Sequence, residues 1–136
     1  MRTLDLRGLA VVGLAVMSVA LLGMGAAGKQ EVRSSTKAVF VDRDGVRVAA
    51  EQVTASGTTE IEGDLGRGSL HVPFDNVEAI SFDAAEERGE RATTIRLRNG
   101  ESVSMRVRGS LSFYGQTPVG AYQIRARDLK AVEFSR

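Results

Sequence analysis

Arginines and carboxylates are the residues of this chain best suited to chemistry, because the side chains that most often serve as nucleophiles or metal ligands are scarce. Cysteine is absent, which excludes a disulfide framework, a thiol nucleophile, a cysteine-ligated zinc and an acylated lipoprotein cysteine. His71 is the single histidine, too few for a histidine metal cluster, and it leaves little room for a Ser/His/Asp triad. Asp42-Arg43-Asp44-Gly45 opens like a calcium loop, but Val46 and Val53 stand where oxygen ligands are needed, so a turn is expected. Glu60, Glu62, Asp64, Asp75, Glu78 and Asp83 are enough carboxylates for a hydrolase. With tryptophan absent there is no aromatic-rich sugar platform, and this reading ranks last. Gly63-Asp64-Leu65-Gly66-Arg67-Gly68 is glycine-rich but opens no helix, so it reads as a turn and not as a phosphate cradle. No catalytic, cofactor-binding or metal-binding residue is expected, and the chain reads as a non-enzyme.

The strongest binding candidates are arginines. Arg96 and Arg98 share one phase of a β-rich run, Arg106 and Arg108 share it on the next, and Arg125 and Arg127 extend the set, with Tyr114 as a further contact residue. Like charges this close need an anionic partner, salt or water to screen them. The candidates are an anionic envelope polymer, lipid head groups or a protein partner. Arginine also protects an exposed sheet edge against unwanted pairing. Charge is divided along the chain as well: residues 29–90 hold seven basic and thirteen acidic side chains, whereas residues 91–136 hold nine basic and three acidic. Complementary halves make self-association, head to tail, the alternative to a foreign partner.

These side chains need a scaffold, and period-two alternation supplies it. Thr93, Ile95 and Leu97 share one face, followed by Val103, Met105 and Val107, then Leu111 and Phe113, then Tyr122, Ile124 and Ala126. A three-residue loop Asn99-Gly100-Glu101 with a bulge would set Leu97 opposite Val103 and Ile95 opposite Met105. The same register at Gly45 aligns Phe40 with Ala50. Laying GSLHVPFDNVEAISF (68–82) over GAYQIRARDLKAVEF (120–134) matches Gly68 with Gly120, Ala79 with Ala131 and Phe82 with Phe134 without a gap. In each copy a polar break, Asp75-Asn76 or Arg127-Asp128, predicts a tight or 3₁₀ turn, after which Val77 or Leu129 plugs the sheet. His71 falls on the outer phase.

The expected fold is all-β: two tandem related halves of short antiparallel strands, forming small barrel-like units or one β-sandwich, preceded by an N-terminal signal helix. VPFDNVEAISF and IRARDLKAVEF, with the strand order around them, resemble the Sm-like class of small barrels over residues 37–136. The resemblance implies architecture only, because the RNA-contacting signature of that class is not present.

Residues 1–28 form a signal peptide or an N-terminal membrane anchor. Two arginines precede the apolar stretch GLAVVGLAVMSVALLGMG, and small residues at Gly25-Ala26-Ala27-Gly28 allow cleavage after Ala27 or Gly28. The expected division is then a polar linker (29–36), a first β repeat (37–83), a charged connection (84–92) and a second β repeat (93–136). Either outcome at the leader places the β region outside the cytoplasm, periplasmic or extracellular, with an uncleaved inner-membrane anchor as the alternative. Nucleic acid is not an expected partner, and membrane contact runs only through the N-terminal segment.

Overall fold

The computed structural model describes residues 34–135, so the leader and the first part of the linker lie outside the described residues. Ten strands follow one another: β1 (Ala38–Asp42), β2 (Arg47–Ala55), β3 (Glu60–Leu65), β4 (Gly68–Pro73), β5 (Val77–Glu87), β6 (Glu90–Leu97), β7 (Ser102–Arg108), β8 (Ser112–Thr117), β9 (Gly120–Arg125) and β10 (Leu129–Phe134). A 3₁₀ turn at Phe74–Asn76 precedes β5, and another at Ala126–Asp128 precedes β10. All strands are antiparallel members of one curled half-barrel sheet, in the order β4-β3-β7-β6-β5-β10-β1-β2-β8-β9. There is no α-helix among the described residues, and none of them forms a helix long and apolar enough to cross a membrane.

If β1 is matched with β6, β2 with β7 and so on to β5 with β10, this order reads the same from either end. The ladder at its centre behaves likewise. Val132 pairs with Ile80, flanked by Ala131 with Ser81 and Glu133 with Ala79, and both central side chains are fully buried. The halves interleave, since β2 lies against β8 and β3 against β7. Two separate Sm-like units, each built from its own strands, are therefore replaced by a single shared sheet. The halves join at the β5–β10 ladder, whose strands each begin at a buried residue, Val77 or Leu129, directly after a 3₁₀ turn.

Alternation makes the core. Ile95, Val107, Phe113, Leu129 and Val132 are sealed from solvent, each worth about 1.5–3 kcal/mol of burial. Phe40 meets Phe113 edge-on at 6.1 Å and Tyr122 at 5.6 Å, while Phe74 and Phe134 approach to 4.9 Å. Gly63 and Gly115, 52 positions apart, sit where strands from the two halves meet. A Cβ on Gly63 would fall 2.7 Å from Met105 Sδ and 2.8 Å from the Arg106 carbonyl. On Gly115 it would fall 2.7 Å from Ala50 Cβ. Gly63 thus belongs to a strand, and the turn expected across 63–68 contracts to Gly66-Arg67.

The hairpin registers differ from expectation by one loop position. Leu97 N–H donates to the Glu101 carbonyl, so the loop is Arg98-Asn99-Gly100, and Ile95 faces Val103 with Thr93 facing Met105. Phe40 pairs with Val48, not Ala50. In both hairpins the residue that leaves the ladder is an arginine whose N–H is used elsewhere: Arg98 donates to the Asn76 carbonyl and Arg43 to that of Asp128. The span 84–92, expected as a charged connection, is mostly paired strand. Glu87 pairs with Glu90 around a two-residue turn, Arg88-Gly89, both with positive φ (54° and 79°) as a type I′ hairpin requires.

Candidate functional site

Three arginines are built into the framework. Arg98 donates from Nε to the Asp75 carbonyl at 3.0 Å and from Nη2 to that of Ser135 at 3.1 Å. Arg43 does the corresponding work on the opposite side, from Nε to the Arg127 carbonyl at 2.7 Å and from Nη1 to that of Ala84 at 2.8 Å. Each brackets a 3₁₀ turn against the hairpin loop that lies beside it. Arg98, expected on an open partner-binding face, is thus occupied by backbone oxygen.

Arg91 is the third, and the sequence placed it in a charged connection. Its side chain is 1% exposed and its hydrogen bonds go to main-chain oxygen: Nε and Nη2 donate to the Asp83 carbonyl, and Nη1 donates to those of Ala126 and Leu129. The guanidinium carbon lies 5.2 Å from the centre of the Phe82 ring. Desolvation, then repulsion from Arg43, holds its pKa below the ordinary value, while Glu86, Asp83 and Asp128 act in the opposite direction. A fork of five N–H donors is the side chain that can hold three carbonyls at once. Its one sequence signal was its phase: Arg91 lies two positions before Thr93, on the inward face.

The remaining arginines of the expected patch are divided. Arg96 lies 3.4 Å from Glu78, Arg106 3.0 Å from Glu90 and Arg127 3.9 Å from Glu86. In each pair the basic partner comes from residues 91–136 and the acidic one from residues 29–90, so much of the opposed charge read along the chain meets within one sheet. Arg127 Nε is buried with no hydrogen-bond partner. Arg108 and Arg125 form no ion pair among the described residues. Tyr114 is 42% exposed on β8, opposite Gln123 on β9.

Arg125 opens onto a cleft of about 700 Å³ between the β1–β2 turn, β9 and the second 3₁₀ turn. Its lining combines Arg125 and Arg43 with Asp42, Asp44 and Asp128, and Tyr122 is part of it. Asp42 Oδ1 accepts from the backbone N–H groups of Asp44 (2.8 Å) and Val46 (2.9 Å), which fixes the turn that forms one wall. Burial, reinforced by Asp42, raises the Tyr122 pKa, so the phenol stays neutral. Both signs of charge are presented together with an aromatic ring. The other carboxylates do not converge: Glu60 and Glu62 flank exposed His71 at 2.9 and 3.7 Å, and Glu62 and Asp64 line a space of only about 50 Å³. No acidic or histidine cluster suited to a metal occurs among the described residues.

A β-sheet protein with a mixed-charge surface cleft is the class defined so far. Residues 32–136 match a family described as "Uncharacterised protein", and the chain belongs to that family. No curated protein matches it.

Proposed function

We propose that this chain is an exported, non-enzymatic β module that binds or scaffolds in the cell envelope, its two halves having arisen by duplication of a five-strand Sm-like unit that now exchanges strands. The duplication is supported by the end-to-end agreement of the strand order and by the ladder centred on Ile80 and Val132. The observation that carries the binding reading is the cleft at Arg125. Its guanidinium has no acidic partner among the described residues, and it shares the cleft's lining with Asp44, Asp128 and Tyr122. That arrangement suits an envelope polymer carrying anionic groups and amines together, the former held by Arg125 and the latter by the carboxylates. Export follows from the leader read in residues 1–28.

The test is co-sedimentation of the full chain with insoluble envelope polymer, across a salt series. Retention that falls as salt rises and is lost in Arg125→Glu supports the reading. Retention unchanged by that variant, or binding only to phospholipid vesicles, refutes the assignment to this cleft. A second reading, self-association, is favoured by the two edge strands: β4 lies beside Glu60, Glu62 and Asp64 of β3, and β9 carries Arg125. Light scattering that shows assemblies at low salt, dispersing as salt rises, would support it, and monomers under both conditions would remove it.

A further inference from the structure

Around one matched position the two halves carry different side chains, and Ala126 beside Arg91 is Phe74 in the other half. Thr36 stands where Arg91 stands in the other half. The Thr36 carbonyl accepts from Val53 N–H just ahead of β1, Arg91 pairs with Val107 near the start of β6, and Val53 and Val107 are both fully buried. Further along, Ala38 pairs with Phe134 as Thr93 pairs with Phe82, and the Ser135 N–H donates to the Lys37 carbonyl. By the same matching, the three carbonyls that hold Arg91, those of Asp83, Ala126 and Leu129, become those of Ser135, Phe74 and Val77, and the ring beneath it, Phe82, becomes Phe134. Where Arg91 fills its position, the counterpart is a cleft of about 290 Å³ lined by Ser35, Thr36, Phe74, Asp75, Arg98 and Ser135.

We propose that this cleft is a receptor for a guanidinium group, such as an arginine side chain presented by a partner. Its basis is the equivalence of the halves and not the Arg125 cleft. Threonine ends two carbons from the backbone, so it reaches none of what the arginine fork reaches. Phe74 stands where the other half has Ala126 and packs on Phe134 at 4.9 Å, so the aromatic wall that lines the cleft is Phe74 itself, and Asp75 supplies a carboxylate. Arg98 is no obstacle in kind: its counterpart Arg43 stands close enough to Arg91 to lower its pKa, and the two guanidinium groups coexist there by taking neighbouring carbonyls, Ala84 for Arg43 and Asp83 for Arg91. At present Arg98 reaches the Ser135 carbonyl at 3.1 Å, and an arriving guanidinium shares or takes over that oxygen.

The experiment is an NMR titration of the isotopically labelled full chain with N-acetyl-arginine amide, with N-acetyl-citrulline amide as the uncharged analogue of the same shape. Saturable shifts confined to Thr36, Asp75 and Ser135, half-complete on the order of 1–10 mM and about tenfold weaker with the citrulline analogue, support the proposal. No saturable shift, or equal response to the two compounds, overturns it. In Thr36→Arg the tethered side chain fills the cleft, so the shifts vanish and Tm rises; a Thr36→Arg variant that folds and still binds as the parent does also overturns it. Envelope binding through Arg125 is read separately, so failure of either idea leaves the other standing.

Discussion

Replacing Arg91 by alanine removes a buried cation together with every hydrogen bond it makes, and the size of the loss follows from its surroundings. The carbonyls of Asp83, Ala126 and Leu129 come from two distant stretches, β5 and the turn that runs into β10, and a side chain 1% exposed leaves no path for water to replace the guanidinium without opening the sheet. Net hydrogen bonds to a charged group are worth about 1.5–3 kcal/mol each, but desolvation of the cation offsets part of their sum. Truncation strands no charge, because the partners are neutral carbonyls, but it leaves three buried acceptors short of a donor at about 1–3 kcal/mol each, and we expect Arg91→Ala to cost about 3–5 kcal/mol. Against a typical stability of about 5–15 kcal/mol for a domain, this is a large fraction. Urea unfolding followed by far-ultraviolet circular dichroism measures it, because the chain has no tryptophan. Arg91→Lys should recover only a minor part, since an ammonium on a single stem cannot span three carbonyls. A loss below about 1 kcal/mol for Arg91→Ala, within the span of an ordinary surface substitution, would refute the claim that this residue ties the segments together.

Three further outcomes are expected. Gly63→Ala and Gly115→Ala should each destabilise by about 1–3 kcal/mol, Gly63→Ala the more, because one of its clashes is with the Arg106 carbonyl and not only with a flexible methionine; thermal denaturation ranks them. Arg43→Gln and Arg98→Gln should lower the urea midpoint by similar amounts, since each side chain makes one Nε contact to the matching carbonyl of a 3₁₀ turn and one further backbone contact, and a large inequality would argue against equivalent brackets. The Tyr122 pKa is raised in the folded protein, by burial and then by Asp42, so its contribution is intact below the unfolded tyrosine pKa of about 10 and is lost as pH rises through the folded value. Urea midpoints measured across that alkaline window should fall less steeply in Tyr122→Phe than in the parent.

The strands, the inward residues and both 3₁₀ turns were legible because alternation and turn chemistry are local. Thr93, Ile95, Met105, Val107, Phe113 and Ala126 all point inward as their phase requires. What the sequence could not show is which strand lies beside which. The hairpin loops shifted because Arg43 and Arg98 bond to 3₁₀ turns distant in sequence, contacts that no local pattern encodes. The same limitation hid Arg91, whose charge suggested solvent while its phase pointed inward. It also made Arg96, Arg106 and Arg127 look like an open basic surface, when Glu78 and Glu86 arrive from β5 and Glu90 from the start of β6, a span read as connection.

The place of the last strand bears on how the protein is made. β1 is flanked by β2 and by β10, so the first strand to be synthesised lacks one neighbour until the final one has been added. Contacts this distant in sequence form late and cooperatively. A nascent chain of this design therefore stays unclosed throughout translation, the state that a secretion channel accepts, and under the proposed export it becomes a finished molecule only on the far side.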